Sequence, residues 1–288
     1  MRNVTLAATQ FACSWKIASN LDAAERLVRQ AAGQGANIVL IQELFETPYF
    51  CITEDPAHLA LAAPAEGNAL IARFADLARE LGVVLPIPFF ERAGQAHFNA
   101  VAVADADGKV LGVYRKSHIP QGVGYEEKFY FSPGDTGFKV WDTAFGRIGV
   151  GICWDQWFPE AARIMALNGA EVLLYPTAIG SEPAEPSYDS QPHWEATMRG
   201  HAAANIMPLV ASNRIGREDQ GGRFITFYGS SFIADNAGQL AAKASRDREE
   251  VLTATVDLDA IRDLRRSWGV FRDRRVDLFG PLLGYDGR

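Results

Sequence analysis

Apolar residues follow two spacings along this chain, and the points where one gives way to the other divide it into elements. Short apolar runs read as buried strands; apolar positions three and four apart read as helices with one core face. On that basis residues 4–9 form a strand. Residues 20–30 form a helix, with Asn20 as its cap and Leu21, Ala24, Leu27, Val28 and Ala31 on its buried face, ended by Gly33 and Gly35. Residues 37–41 make a second strand. An aromatic, irregular stretch at 44–55 precedes an amphipathic helix over 68–81 that stops at Gly82. Strands over 83–91, 97–104 and 109–115 come next, the last two paired through the turn Asp105-Ala-Asp-Gly108.

Residues 148–152 are an apolar strand with spaced glycines, and Pro159 suits the first turn of a helix that continues through Leu167. A strand over 171–175, a polar loop studded with prolines over 178–192, a helix over 193–205 and a strand over 209–213 follow. Gly221-Gly222 marks another loop; 230–234 and 239–244 pair as a hairpin; 250–256 is the last strand and 257–268 the last helix. Hairpins interleaved with helices predict an α/β fold of two mixed sheets packed face to face, each covered outside by helices. With no linker, repeat or low-complexity segment, residues 1–288 are expected to form a single domain. Its tail, 269–288, carries Phe271, Leu278, Phe279, Leu282 and Leu283, which need a partner surface.

Composition narrows the class. The 288 residues are 48% hydrophobic and 22% charged, ordinary values for a soluble globular protein. No apolar run is long enough to span a bilayer, and the N-terminus lacks the pattern of a signal peptide. A formal net charge of -7 speaks against nucleic acid and for a cationic partner. Cys13, Cys51 and Cys153 are widely spaced, with no CxxC and no histidine cluster. Neither a disulfide framework nor a zinc site fits, and a cytoplasmic location is expected.

Chemistry gathers at three strand ends, where α/β folds place it. Glu43 follows the second strand, Lys116 ends the strand over 109–115, and Cys153 closes the apolar strand before the Pro159 helix. Taken singly, each has an ordinary reading as a solvated strand end or a small core residue. Cys153, at a sharp strand-to-helix junction, is expected to gain thiolate character from the helix start and an oxyanion donor from a nearby N–H. A carboxylate, an ammonium and a thiol together suit acyl transfer from an amide or ureido carbon, a poor electrophile that demands a strong nucleophile.

The motifs Gln42-Glu-Leu-Phe45, Tyr114-Arg-Lys-Ser-His-Ile-Pro120 and Gly149-Val-Gly-Ile-Cys-Trp-Asp155 resemble those of the nitrilase superfamily of carbon–nitrogen hydrolases, over nearly the full chain. The resemblance implies a four-layer αββα sandwich and a hydrolase acting on carbon–nitrogen bonds other than peptide bonds. It assigns Cys153 as nucleophile, Glu43 as proton carrier, Lys116 with the Trp154 N–H as oxyanion donors, and Glu127 as a fourth residue orienting Lys116, with Glu126 its rival. No metal or organic cofactor has a role in this scheme. Residues 120–130, Phe131-Ser-Pro-Gly-Asp135 and the tail around 268–281 look most like the branch that hydrolyses cationic N-carbamoyl diamines. For such a substrate Glu182 is the candidate partner of the distal ammonium and Tyr49 an apolar wall, while Glu185 and Asp189 have an equal reading as surface acids. A β-ureidopropionase-like or ω-amidase-like relative would instead need a cation in the pocket, with Arg199 or Arg214 the candidates. An acyltransferase on the same triad, or a non-catalytic scaffold, is the alternative of a different class. The family's habit of exchanging tails implies a homo-oligomer, a dimer or larger.

Overall fold

A computed structural model describes residues 1–287. In chain order the elements are β1 (Asn3–Gln10), α1 (Ile17–Gly33), β2 (Ile38–Leu40), α2 (Ala69–Leu81), β3 (Leu85–Ala93), β4 (Ala96–Ala104), β5 (Val110–Arg115), α3 (Glu127–Tyr130), β6 (Val140–Thr143) and β7 (Gly146–Val150). A single 3-10 turn, Cys153–Trp157, then leads into α4 (Pro159–Leu167), β8 (Val172–Pro176), α5 (Gln191–Asn205), β9 (Leu209–Ser212), β10 (Ile215–Gln220), β11 (Arg223–Tyr228), β12 (Phe232–Ala234), β13 (Leu240–Lys243), β14 (Glu250–Asp257) and α6 (Leu258–Trp268).

The strands build two faces. One runs β14-β1-β2 and continues, through a parallel bridge between Ile38 and Val84, into β3-β4-β5. The other runs β13-β12-β9-β8-β7-β6, with β7, β8 and β9 parallel at its centre. Between them lies a core of β-branched and aliphatic side chains, Val4, Leu6, Val101, Ile148, Val172 and Val210 among them. The opposite face of the first sheet is covered by α1 and α2 through Leu27, Val28 and Phe74, and that of the second by α4 and α5 through Met165, Trp194 and Met198. The result is the expected αββα sandwich. Its logic is the double burial of central strands, which lets them be apolar on both faces.

Several boundaries differ from the pattern-based reading for definable reasons. α1 begins three residues early, so Asn20 lies inside it; its side chain accepts from Ser14 N–H and donates to the Glu46 carbonyl, anchoring the 44–47 turn. Asn68 does cap α2, accepting from Leu70 and Ile71 N–H. The stretch around Gly221-Gly222 is an antiparallel hairpin, β10–β11, and both glycines adopt the positive φ that a two-residue turn needs. The unbroken polar run Arg217-Glu-Asp-Gln220 shows no strand periodicity, and that hid the hairpin. No helix among the described residues is long and apolar enough to cross a membrane. In the tail, Phe271 packs on its own chain against Arg163 and Arg265, whereas Leu278, Leu282 and Leu283 remain exposed.

Candidate active site

The C-terminal ends of β2, β5 and β7 converge. Glu43 leaves β2 through a turn held from below by Arg214, whose guanidinium donates to the carbonyls of Glu43 at 2.8 Å and Leu44 at 2.9 Å. Gln42 locks the same strand end to β1 by exchanging hydrogen bonds with both backbone groups of Phe11. Lys116 follows β5; its N–H donates to the Asn99 carbonyl on β4, and its own carbonyl accepts from Gly134 N–H at 2.7 Å. That approach requires glycine, since a Cβ at 134 would stand 2.1 Å from the Arg115 carbonyl oxygen.

The side chains form one buried ionic chain. Lys116 Nζ donates to Glu43 Oε1 at 2.8 Å and to Glu127 Oε2 at 2.7 Å, and all three groups are at most 1% exposed. Glu127 stands at the start of α3 and takes a further bond from the Tyr49 hydroxyl, 2.7 Å away. Glu126, its neighbour, faces elsewhere and pairs with Arg223. Asn99 Nδ2 donates to Glu43 Oε1 at 2.6 Å. Glu43 Oε2 is buried and has no hydrogen-bond partner. Burial, reinforced by the Glu43 charge and opposed by Lys116, pushes Glu127 up to about 7. Burial alone would lower the Lys116 ammonium, but the charges of Glu127 and Glu43 outweigh it and hold it well above its ordinary value.

Cys153 sits at an elbow with φ +41°, a left-handed conformation that is costly for a side chain of this kind. Asp155 fixes the elbow. Its carboxylate accepts from Ile152 N–H at 2.9 Å and the Tyr114 hydroxyl at 2.7 Å, and also from His118 N–H at 2.9 Å. One side chain thereby ties the end of β7 to the segment that carries Lys116. The expectation of a thiolate stabilised by the helix start does not hold at rest. Only one 3-10 turn follows Cys153, α4 starts at Pro159, and burial together with the Glu43 charge raises the thiol well above its ordinary value. The resting group is a thiol that needs a base, and Glu43 is the carboxylate whose charge acts most strongly on it.

A cavity of about 440 Å³ opens onto the elbow. Its lining includes Cys153, Trp154 and Glu127, and also Glu182 and Glu185 from the loop after β8. Among the described residues it has no arginine or lysine in its lining. Arg214 is committed to the backbone beneath Glu43 and to Glu218, and Arg199 to the Gly238 carbonyl and Glu195. Tyr49 is not a wall of the cavity: it is fully buried, and its hydroxyl is spent on Glu127. Asp189 lies outside the lining, paired with Arg246. Cys13 and Cys51 also lie outside it; burial raises Cys13 to about 11 and Cys51 well above its ordinary value. No group of three or more His, Cys, Asp or Glu among the described residues could hold a metal ion.

Sequence reasoning assigned no role to Asn99 or Asp155. A polar residue between Phe98 and Ala100, in a strand otherwise apolar from Phe98 to Ala104, was the available signal for the first.

Known proteins match this chain over nearly its full length. A protein of Arabidopsis thaliana named N-carbamoylputrescine amidase is 59% identical, the match covering 99% of this chain and 97% of its own. A citrullinase of Francisella tularensis is 50% identical over 98% of this chain and 99% of its own. The crystal structure of a carbon–nitrogen hydrolase from Helicobacter pylori G27 superposes with a TM-score of 0.92 at 42% identity, covering 98% of this chain and 99% of that one. The family model described as carbon–nitrogen hydrolase matches residues 5–266, and this chain therefore belongs to the carbon–nitrogen hydrolase family.

Proposed function

We propose that the protein hydrolyses N-carbamoylputrescine to putrescine, carbon dioxide and ammonia, with Cys153 as nucleophile. The observation that carries this reading is the cavity itself. A thiol and a raised carboxyl line it together with two further acids, and among the described residues no arginine or lysine lines it to receive a substrate carboxylate. The identity to N-carbamoylputrescine amidases of several plants, 57–59%, supports the same substrate.

The steps follow from the hydrogen bonds. Glu43 Oε2, left without a partner, takes the thiol proton as the sulfur attacks the ureido carbon. The oxyanion that forms is stabilised by the Lys116 ammonium and the Trp154 N–H. Glu43 returns the proton to the departing nitrogen, leaving a thiocarbamate on Cys153. It then deprotonates the water that cleaves this thiocarbamate and hands that proton to the leaving Cys153 sulfur; the carbamic acid released breaks down to carbon dioxide and the remaining amine. Glu127 holds the far side of the Lys116 ammonium and lines the cavity, where it meets the ureido nitrogen. Glu182 pairs with the distal ammonium. This donor set needs no metal or organic cofactor.

Ammonia release from a substrate panel tests the assignment. N-carbamoylputrescine is expected to exceed N-carbamoyl-β-alanine and ω-amides of dicarboxylic acids by at least about 10²-fold in kcat/KM, the scale of leaving a substrate carboxylate unpaired in an acidic pocket. The 50% identity to a citrullinase makes citrulline the sharpest competitor, since it adds a carboxylate beside the same amine. Equal or faster turnover of citrulline would move the substrate assignment.

The single domain and the assembly belong to the same proposal. The exposed Leu278, Leu282 and Leu283 favour a homo-oligomer in which the 269–288 tail covers a second copy. Light scattering of the chain truncated at Gly269 is expected to give a smaller assembly than the full chain; an unchanged mass rules the tail out. Three free cysteines suit a reducing cytoplasm.

A further inference from the structure

Glu43 has two carboxylate oxygens in very different circumstances. Oε1 accepts from both Lys116 Nζ and Asn99 Nδ2, at 2.8 and 2.6 Å, whereas Oε2 is buried with no donor. A carboxylate rotates about its Cγ–Cδ bond unless something fixes it. With Lys116 alone, either oxygen could take the ammonium, and the free one would not be defined. The amide of Asn99 removes that freedom. It is held in β4 between β3 and β5, its backbone carbonyl bonds Lys116 N–H, and its side chain is fully buried. An ionised carboxylate only accepts, so the amide must turn its NH₂ toward Glu43. Its own Oδ1 is then left buried without a partner, an arrangement that costs stability and that a purely structural asparagine would avoid.

We infer that Asn99 is a positioning residue for the hydrolysis: by engaging Oε1 it presents Glu43 Oε2 as the proton acceptor for Cys153. Asn99 does not line the cavity, so it acts through Glu43 and leaves substrate binding alone. This inference rests on the reading of Glu43 as the base. The ionisable groups facing Glu43 are Lys116 after β5, Glu127 on α3, Cys153 at the elbow, Arg214 after β9, and Tyr49 and Cys51 from the 44–55 segment. All of them stay in place when only the Asn99 side chain changes.

The experiment compares Asn99→Leu, which keeps the shape and deletes the donor, with Asn99→Asp, which replaces the donor by a second carboxylate. Both are measured on N-carbamoylputrescine across pH, beside Glu43→Gln. Asn99→Leu is expected to lower kcat by about 10- to 100-fold, the scale of one hydrogen bond to a charged group, with KM within about threefold. The acid limb of kcat/KM is expected to move to higher pH in Asn99→Leu and further in Asn99→Asp, because each favours the protonated carboxyl over the wild type. If Asn99→Leu does not fold, the displaced acid limb of Asn99→Asp carries the test alone. A loss shared equally by kcat and KM, or an acid limb that does not move in a folded variant, overturns the positioning role. An active Glu43→Gln enzyme would instead sink the assignment of the base, a result separable from either Asn99 outcome.

Discussion

The cavity has two kinds of acid in its lining, and they live under different electrostatics. Beside the thiol, Glu127 is fully buried and joined through Lys116 to Glu43, so every charge answers to a partner at hydrogen-bond distance. On the loop after β8, Glu182 is only partly buried, Glu185 is exposed, and their charges are screened by water. Buried charges that lose one partner are destabilised by several kcal/mol, while solvated ones hardly notice. The first kind can shift proton affinities and do chemistry; the second can select a cation without disturbing it. The proposed function thus divides reactivity from recognition within one cavity, and substitutions should separate them too.

The largest effect belongs to Cys153→Ala. It is expected to fold and to lose at least about 10⁴-fold in turnover, since the other members of such a unit do nothing without the nucleophile. Residual turnover near wild type would remove the buried end from the chemistry altogether. Lys116→Met comes next. It takes away an oxyanion donor, for a fall of at least about 10²-fold in kcat. It also leaves Glu43 and Glu127 buried without a counter-charge, so denaturant titration should find the variant roughly 3–5 kcal/mol less stable. A catalytic loss with unchanged stability would mean that water reaches the pair.

Glu182→Gln probes the solvated kind. About 10- to 100-fold is expected in kcat/KM for N-carbamoylputrescine, from one charge-assisted hydrogen bond, and less than about threefold for neutral N-butylurea. Equal losses on the two substrates would make Glu182 a structural residue and erase the contrast between the regions. The smallest effect is on stability against pH. Glu127 is raised from 4.5 to about 7, so between those values the folded chain binds more proton than the unfolded one. Stability should therefore fall as pH rises through that window. Glu127→Gln should flatten this slope in melting curves taken from pH 4.5 to 7, and an unchanged slope would place the titrating group elsewhere.

Much of this was legible in the sequence because the informative residues sit where periodicity breaks. Glu43 follows an apolar run, Lys116 ends a hairpin strand, and Cys153 precedes a proline-started helix, so three strand ends could be marked before any coordinates. The β1, β4 and β14 strands were found within a residue or two because both faces of each are largely apolar or pair with a clear neighbour. Three-dimensional partners were not legible. Tyr49 looked like a pocket wall because its neighbours are aromatic, yet what decides its place is the Glu127 carboxylate 78 residues away in the chain. Arg214 looked like a possible substrate cation, and nothing local reveals that three backbone carbonyls and Glu218 occupy both of its terminal nitrogens. The thiol's raised proton affinity depends on burial, which spacing does not report.

The left-handed backbone at Cys153 also bears on the history of such a chain. A side chain there costs about 1–2 kcal/mol that glycine would not, so selection for stability alone favours Cys153→Gly. A duplicated copy relieved of its reaction would drift that way first and gain thermal tolerance as it did so. On the proposed function, cysteine at this elbow is kept for its thiol, at the cost of a slightly weaker fold.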